Sequence, residues 1–129
     1  MIRYLSAEEV VAIHRRVLEE TGGHEGIHDA GLLFSASEKP KASFGGKEMY
    51  PDLFTKASVL LEALANYHTF SDGNKRTAYL ATKAFLAMNG FHLRVKKKEA
   101  LVFILSIAKK KSRLVQIATW LKKHSERIK

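Results

Sequence analysis

The sequence contains no cysteine. This absence excludes a disulfide framework and a zinc site built on thiolates, and it is compatible with a reducing compartment. No apolar run approaches the roughly 20 residues that a transmembrane helix needs. The N-terminal stretch also lacks the long apolar segment of a signal peptide, since acidic residues begin at Glu8. We therefore expect a cytoplasmic protein that does not associate with membranes.

Proline is scarce as well, with two residues in 129, and the eight glycines fall between periodic segments. Neither a disordered nor a low-complexity segment is therefore predicted. A chain of this length with 46% hydrophobic residues can bury one hydrophobic core without the support of disulfides or structural metal ions. We expect a single domain over residues 1–129.

Negative charge is in the minority, because 13 acidic residues face 22 basic ones, for a net charge of +9. This excess favours an anionic partner, which can be a nucleotide, a nucleic acid or an acidic protein. Much of it lies in lysine clusters at 96–98, 109–111 and 122–123. Aromatic residues do not interleave with the lysines, as they would in a single-strand binding platform. We interpret the clusters as solvated helix surface and do not expect nucleic acid as the partner; a nucleic-acid-binding module is the alternative from another class.

Apolar spacing and helix signals predict an all-α bundle of about six helices with a small β-hairpin. The last two helices are expected to bury Leu101, Val102, Leu105 and Ala108, and then Leu114, Ile117, Ala118 and Leu121. Residues 91–95 are expected to form a short extended connector. The hairpin is predicted at Phe44-Gly45-Gly46-Lys47, because consecutive glycines tolerate positive φ.

Local signals also predict where the helices begin and end. The predicted starts are a capping box of Ser6 with Glu9, and N-caps at Asp29, Asp52 and Ser112. The predicted ends are Gly22-Gly23, Pro40 and Asn89-Gly90.

The segment from His68 to Ala78 carries the chemistry. The helix that begins near Asp52 has an apolar stripe that ends at His68, and the next helix begins near Asn74 after a short polar loop. Lys75 and Arg76 then fall in a first turn, where the helix already carries partial positive charge. Positive side chains at a positive helix end are favourable only if an anion binds there, to the free N–H groups of the first turn. Gly73 has no side chain, so such an anion can approach the backbone closely.

Two side chains flank this predicted anion site. Asp72 is suited to hold Mg²⁺, which is usually bound by one or two carboxylates together with phosphate oxygens; the alternative is that it only caps the following helix. His68 is a natural base for a hydroxyl nucleophile, and the alternative is a histidine satisfied within the core. Phe70 is interpreted as the anchor of the loop.

The pattern His-x-Phe-x-Asp-Gly-Asn-Lys-Arg over residues 68–76 resembles the signature of the Fic/Doc family. Residues 26–33 and 50–57 and the helix that continues to Asn89-Gly90 are similar to its Doc branch. The resemblance extends over the entire chain, and it implies the Fic/Doc fold.

This resemblance also implies the roles of individual residues. His68 would be the general base, Asp72 would hold Mg²⁺, and Arg76 would bind the phosphates of ATP or another nucleoside triphosphate. Lys75 is expected to bind the same phosphates because of its place in the first turn of the helix. Gly73 and Asn74 would shape the anion hole, with Asn74 adding a side-chain donor. The hairpin of Phe44, Gly45, Gly46 and Lys47 would be the flap that docks the target protein by backbone pairing.

Two positions depart from the adenylyl-transferring branch of the family. Thr69 stands where proline is common, and Lys75 stands where a second glycine is usual. Lysine at this position is similar to the Doc toxins, which phosphorylate a translation elongation factor. The resemblance therefore favours phosphoryl transfer to a Ser or Thr hydroxyl of a target protein, and adenylyl transfer is the alternative.

Residues 21–26, Thr-Gly-Gly-His-Glu-Gly, fit a short motif of self-inhibitory Fic helices. Two consecutive glycines cost a helix about 2 kcal/mol relative to alanines, so we interpret this match as accidental. Inhibition would then come from a separate antitoxin protein docked in an apolar groove. A third function, a metal hydrolase that uses His24, His28 and His68, is the remaining alternative.

Overall fold

The computed structural model describes residues 1–109 and 113–129, and within them the chain is the predicted all-α bundle with the predicted small β-hairpin. A second antiparallel pair of strands, which the sequence did not predict, joins residues that lie far apart in the chain. None of the helices in these ranges is long and apolar enough to cross a membrane. The elements in chain order are α1 (Ala7–Thr21), α2 (Ala30–Glu38), a 3-10 turn (Lys39–Lys41), β1 (Ser43–Phe44), β2 (Lys47–Glu48), α3 (Leu53–Asn66), α4 (Asn74–Met88), β3 (Phe91–Leu93), α5 (Lys97–Ala108), α6 (Leu114–Lys123) and β4 (Ser125–Arg127).

The predicted helix caps are confirmed where the structure describes them. The Ser6 hydroxyl accepts the N–H of Glu9 at 3.1 Å, and the Glu9 carboxylate accepts the N–H of Ser6 at 2.9 Å. Asp29 and Asp52 each accept the N–H of the residue three positions later. Ser112, the predicted cap of the last helix, lies outside the described residues. Side chains thus satisfy N–H groups that the first turn leaves without partners.

Helix α3 forms the centre of the core, because it packs against α4 on one side and α6 on another. Most of its residues are buried, as expected for a helix that is apolar almost all round. The largest fully buried apolar side chains of the core are Val10, Val17, Leu60, Leu61, Leu64, Phe85, Leu86, Leu93, Ile107, Ile117 and Leu121.

The C-terminal end of α3 differs from the prediction. The helix ends at Asn66, and Tyr67 adopts an extended conformation with φ −78° and ψ 124°. The carbonyl of Tyr67 then accepts the N–H of Thr69 at 2.6 Å in a tight turn. His68 therefore does not stand on the apolar stripe of α3, as predicted, but projects from the loop that follows it.

The face of α5 was predicted wrongly. Leu101 and Val102, expected in the core, are 60% and 68% exposed, and Leu105 is exposed too. The helix is apolar on most of its surface, so periodicity alone could not choose the buried face. The choice is made by α6, because Phe103 lies parallel to Trp120 with ring centroids 3.7 Å apart. An open groove of about 630 Å³ remains between α5 and α6.

The predicted extended connector after α4 is β3, and it pairs with the C-terminal strand β4 in the register Phe91 to Arg127. The sequence did not predict β4, because Ser125-Glu126-Arg127 has neither alternating hydrophobicity nor β-branched residues. The predicted β-hairpin is also confirmed, and its two glycines have φ values of 58° and 79°.

A buried lysine attaches this hairpin to the core. Lys56 on α3 has no exposed surface, yet its ammonium donates to the Glu48 carboxylate of β2 at 2.9 Å and to the Pro40 carbonyl at 3.0 Å. The ring of Tyr4 lies 5.5 Å from the same nitrogen. Because a buried charge needs partners on several sides, these contacts determine where the hairpin leaves the bundle.

Replacing Lys56 by methionine should lower the free energy of unfolding by about 1–3 kcal/mol, because the buried Pro40 carbonyl loses its donor. Urea unfolding measures this loss. Glu48→Gln is the matched control, and it should cost less than about 1 kcal/mol because the Glu48 carboxylate is exposed. Equal stability of Lys56→Met and the unchanged protein would contradict this account of the anchor.

The same lysine predicts a dependence of stability on alkaline pH. Burial lowers the pKa of Lys56, but its interactions with Glu48 and Tyr4 outweigh burial and raise the pKa above the ordinary value of 10.5. Its contribution is therefore complete below that value and is lost as pH rises through the raised pKa. The stability difference between the unchanged protein and Lys56→Met should be constant from about pH 8 to about pH 10 and should shrink by about pH 11. Urea unfolding of both proteins across this range checks it.

Candidate active site

The loop between α3 and α4 is supported by a segment that follows α1. The carbonyl of Thr69 accepts the N–H groups of His28 and Asp29, at 2.7 and 3.1 Å. The N–H of Ser71 donates to the Gly26 carbonyl at 3.3 Å. Residues 26–29 therefore lie along residues 69–71 like a short antiparallel strand, and they satisfy backbone groups that no regular element satisfies.

Asn74 closes the loop from the other side. Its side-chain oxygen accepts the N–H of Phe70 at 2.9 Å, and its side-chain nitrogen donates to the Phe70 carbonyl at 2.8 Å. Both polar atoms of the side chain are therefore used inside the loop. The amide nitrogen carries two N–H groups and the Phe70 carbonyl takes one of them, so the side-chain donor predicted for an anion stays a prediction.

Phe70, the predicted anchor of the loop, is buried, and its main neighbour is a residue that the sequence did not reveal. Its buried ring lies parallel to the imidazole of His14 on α1, with centroids 3.8 Å apart and an angle of 7° between planes. His14 Nε2 also donates to the Asp72 carbonyl at 2.8 Å. The sequence does contain one indication that His14 is buried, because it stands four residues after Val10 and three before Val17, on the buried face of α1.

Gly73 is the N-cap of α4 and adopts a left-handed conformation with φ 76° and ψ 17°. A β-carbon at this position would lie 3.4 Å from Val17 and 3.7 Å from the His14 ring, in a backbone conformation that other residues rarely adopt. No side chain caps this helix. The alternative that Asp72 is only a helix cap is therefore wrong.

The start of α4 presents unneutralised positive charge. In residues 1–109 and 113–129, no acceptor faces the backbone N–H groups of Gly73, Asn74, Lys75 and Arg76. The side chains of Lys75 and Arg76 are exposed, and none of the ion pairs in this part of the chain includes them. Successive free N–H groups after a left-handed residue form the concavity that binds phosphate in other proteins.

Asp72 lies beside this concavity with an exposed carboxylate. One of its oxygens, Oδ2, accepts the N–H of His24 at 2.9 Å, which holds the side chain in one orientation. Within the described residues, its other oxygen accepts no hydrogen bond. A hard carboxylate oxygen next to an anion site is the kind of ligand that Mg²⁺ prefers, so the arrangement fits a magnesium ion bound together with phosphate.

His68 is exposed, and its imidazole has no partner in the part of the chain that the structure describes. Its backbone carbonyl instead accepts a hydrogen bond from His28 Nδ1 at 3.2 Å. The alternative of a core histidine is therefore wrong. His24, His28 and His68 also do not form a metal-binding group, since no cluster of three or more such ligands occurs among the described residues.

The structure describes the hairpin that is predicted to dock the target, and also residues 21–26, whose match to the self-inhibitory motif we interpret as accidental. Phe44 and Lys47 of the hairpin are exposed, and no hydrogen bond or ion pair within residues 1–109 and 113–129 joins the hairpin to the loop that follows α3. Its role in docking a target, which includes Gly45 and Gly46, stays a prediction.

α1 ends at Thr21, with Gly22 as its cap, so residues 22–26 are not helical and the motif there lacks the helix that self-inhibition requires.

Comparison with known proteins gives consistent matches. A sequence model described as the Fic/DOC family matches residues 4–86. Toxin Doc from Mycolicibacterium smegmatis is 41% identical over 93 residues, which cover 72% of this chain and 69% of that protein. Protein kinase doc from Escherichia phage P1 is 35% identical over 89 residues, which cover 69% of this chain and 70% of that protein. Both alignments extend over more than two thirds of each chain.

Replacing Asn74 by alanine should lower the free energy of unfolding by about 2 kcal/mol, because the Phe70 N–H and carbonyl both lose their partner. Asn74→Asp is the comparison variant, because it retains an acceptor for the Phe70 N–H but offers no donor to the Phe70 carbonyl and sets a carboxylate oxygen against it. We therefore expect it to cost at least about 1 kcal/mol by the same urea titration. An alanine variant as stable as the unchanged protein would show that the loop does not depend on this side chain.

Proposed function

The chain belongs to the Fic/DOC family, and from this premise we propose that it is a Doc-like toxin of a toxin–antitoxin module. In this proposal it is a cytoplasmic enzyme that transfers a phosphoryl group from a nucleoside triphosphate, ATP in the first instance, to a Ser or Thr hydroxyl of a target protein. A translation factor is the target that we propose. Similarity to proteins named Toxin Doc and Protein kinase doc supports the class of function.

The observation that carries the proposal is the positive charge at the start of α4. Two exposed cations beside free N–H groups repel each other and the helix dipole, which costs stability in the absence of an anion. A polyphosphate removes this cost, because it offers several charged acceptors to Lys75, Arg76 and the backbone at once. The same arrangement stabilises the charge that develops on the transferring group.

The proposed reaction is an in-line displacement. The oxygen of the target hydroxyl attacks the γ-phosphorus while the bond from that phosphorus to the bridging oxygen breaks, and the nucleoside diphosphate leaves. His68 takes the proton of the attacking hydroxyl, which its exposed and unpartnered imidazole is free to do. Asp72 would hold Mg²⁺, which when bound neutralises phosphate charge.

An antitoxin protein is the regulatory partner that we propose. The net charge of +9 favours an acidic one. The groove between α5 and α6, lined in part by Val102 and Phe103, supports the expectation of an apolar docking groove between helices. Lys98 also lines this groove and suits an acidic residue of the partner, while the neighbouring Glu99 lies 3.7 Å from His124.

Transfer is tested with ATP labelled at either the α- or the γ-phosphate, incubated with the protein, Mg²⁺ and cell lysate. Label that reaches a target from the γ position alone supports phosphoryl transfer. Label from the α position would replace it with adenylyl transfer, and no labelled protein from either position would contradict both reactions.

The variant His68→Ala should label the target roughly 10²- to 10⁴-fold more slowly than the unchanged protein. Because His68 is exposed, its unfolding free energy should stay within about 0.5 kcal/mol of the unchanged protein. His92→Ala, which removes an exposed histidine from β3, is the matched control and should label the target normally. Undiminished labelling by folded His68→Ala would remove His68 from the mechanism.

A further inference from the structure

We infer that His14 is a positioning residue, which aims the Gly73 N–H at the nucleotide phosphate through the peptide group between Asp72 and Gly73. The inference rests on the proposed function, because it concerns the same phosphate site. His14 lies on α1, far from the loop in sequence, and it is 3% exposed. The role that we infer for it is therefore exerted through the backbone of the loop.

The direction of the Gly73 N–H follows from the contact that His14 makes. Only an N–H can donate to a carbonyl, so His14 Nε2 carries the proton in its 2.8 Å hydrogen bond to the Asp72 oxygen. The carbonyl of Asp72 and the N–H of Gly73 belong to one planar trans peptide, in which they point in opposite directions. Holding the oxygen towards α1 therefore turns the N–H away from α1, where no acceptor among the described residues meets it.

This peptide needs such a contact because glycine gives it freedom. Gly73 has φ 76°, and a glycine populates positive and negative φ about equally. The peptide can therefore rotate as a unit and turn its N–H inward with little steric cost. A side chain at this position would resist that rotation, but the positive φ of Gly73 is a conformation that other residues rarely adopt.

Other contacts in the loop hold its neighbours but not this peptide. Asn74 binds the backbone of Phe70, residues 26–29 bind Thr69 and Ser71, and the N–H of His24 holds only the Asp72 side chain. Within the described part of the chain, His14 alone binds the Asp72 carbonyl. Its parallel stacking on the Phe70 ring keeps the imidazole in the required plane.

Two variants separate the donor from the ring. His14→Gln retains a side-chain N–H donor without the ring, and His14→Phe retains a stacked ring without the donor. Binding of ATP with Mg²⁺ is measured by isothermal titration calorimetry, and stability by urea unfolding. We expect His14→Phe to bind ATP about tenfold more weakly, as loss of one charge-assisted hydrogen bond predicts, and His14→Gln to stay within about threefold of the unchanged protein.

Val10→Ala is the control for a purely structural effect. Val10 is buried on the same stripe of α1, so its truncation weakens packing of the helix, yet within the described residues no hydrogen bond joins it to the loop. It should lose stability without losing ATP affinity. A loss of ATP affinity in Val10→Ala that matches its loss of stability would overturn the positioning role.

The outcomes distinguish this inference from the proposed function. If the unchanged protein does not bind ATP, the proposed function fails and the inference fails with it. If the unchanged protein binds ATP and His14→Phe binds equally well, only the inference is overturned. Should His14→Phe not fold, His14→Gln decides: affinity near that of the unchanged protein supports the donor role, and a tenfold loss overturns it.

Discussion

The loop between α3 and α4 depends on hydrogen bonds from two side chains, Asn74 and His14. The backbone in this loop belongs to no helix or sheet, so its polar groups need partners from elsewhere. Asn74 satisfies both polar groups of Phe70, and His14 satisfies the carbonyl of Asp72. Because these contacts come from α4 on one side and from α1 on the other, the free N–H groups at the start of α4 keep a defined direction.

Cationic side chains stand in two contrasting environments in this molecule, one at Lys56 and the other at Lys75 and Arg76. The buried ammonium of Lys56 is surrounded by acceptors and stabilises the fold. Lys75 and Arg76, by contrast, stand exposed at a helix start that already carries positive charge, and no acid in the described residues compensates them. Natural proteins tend to break local rules of this kind where they bind ligands, which is why the proposed phosphate site is placed at Lys75 and Arg76 and not at Lys56.

Most of the helices could be predicted because their signals are local. Ser6, Asp29 and Asp52 cap helices whose apolar spacing continues for several turns, and consecutive glycines set the hairpin. The prediction failed where the deciding contact is distant. The buried face of α5 depends on the stacking of Phe103 on Trp120, and the strand β4 exists only because β3 lies beside it.

The sequence by itself determined the helical class, the helix starts and the chemical character of residues 68–76, because each depends on neighbours within about one or two turns of the chain. Tertiary structure alone decided that His68 leaves its helix, that the Asn74 amide is used internally, and that His14 and Lys56 support the loop and the hairpin. These features depend on which atoms meet across the fold, and a single buried polar contact of this kind has no periodicity that a sequence displays.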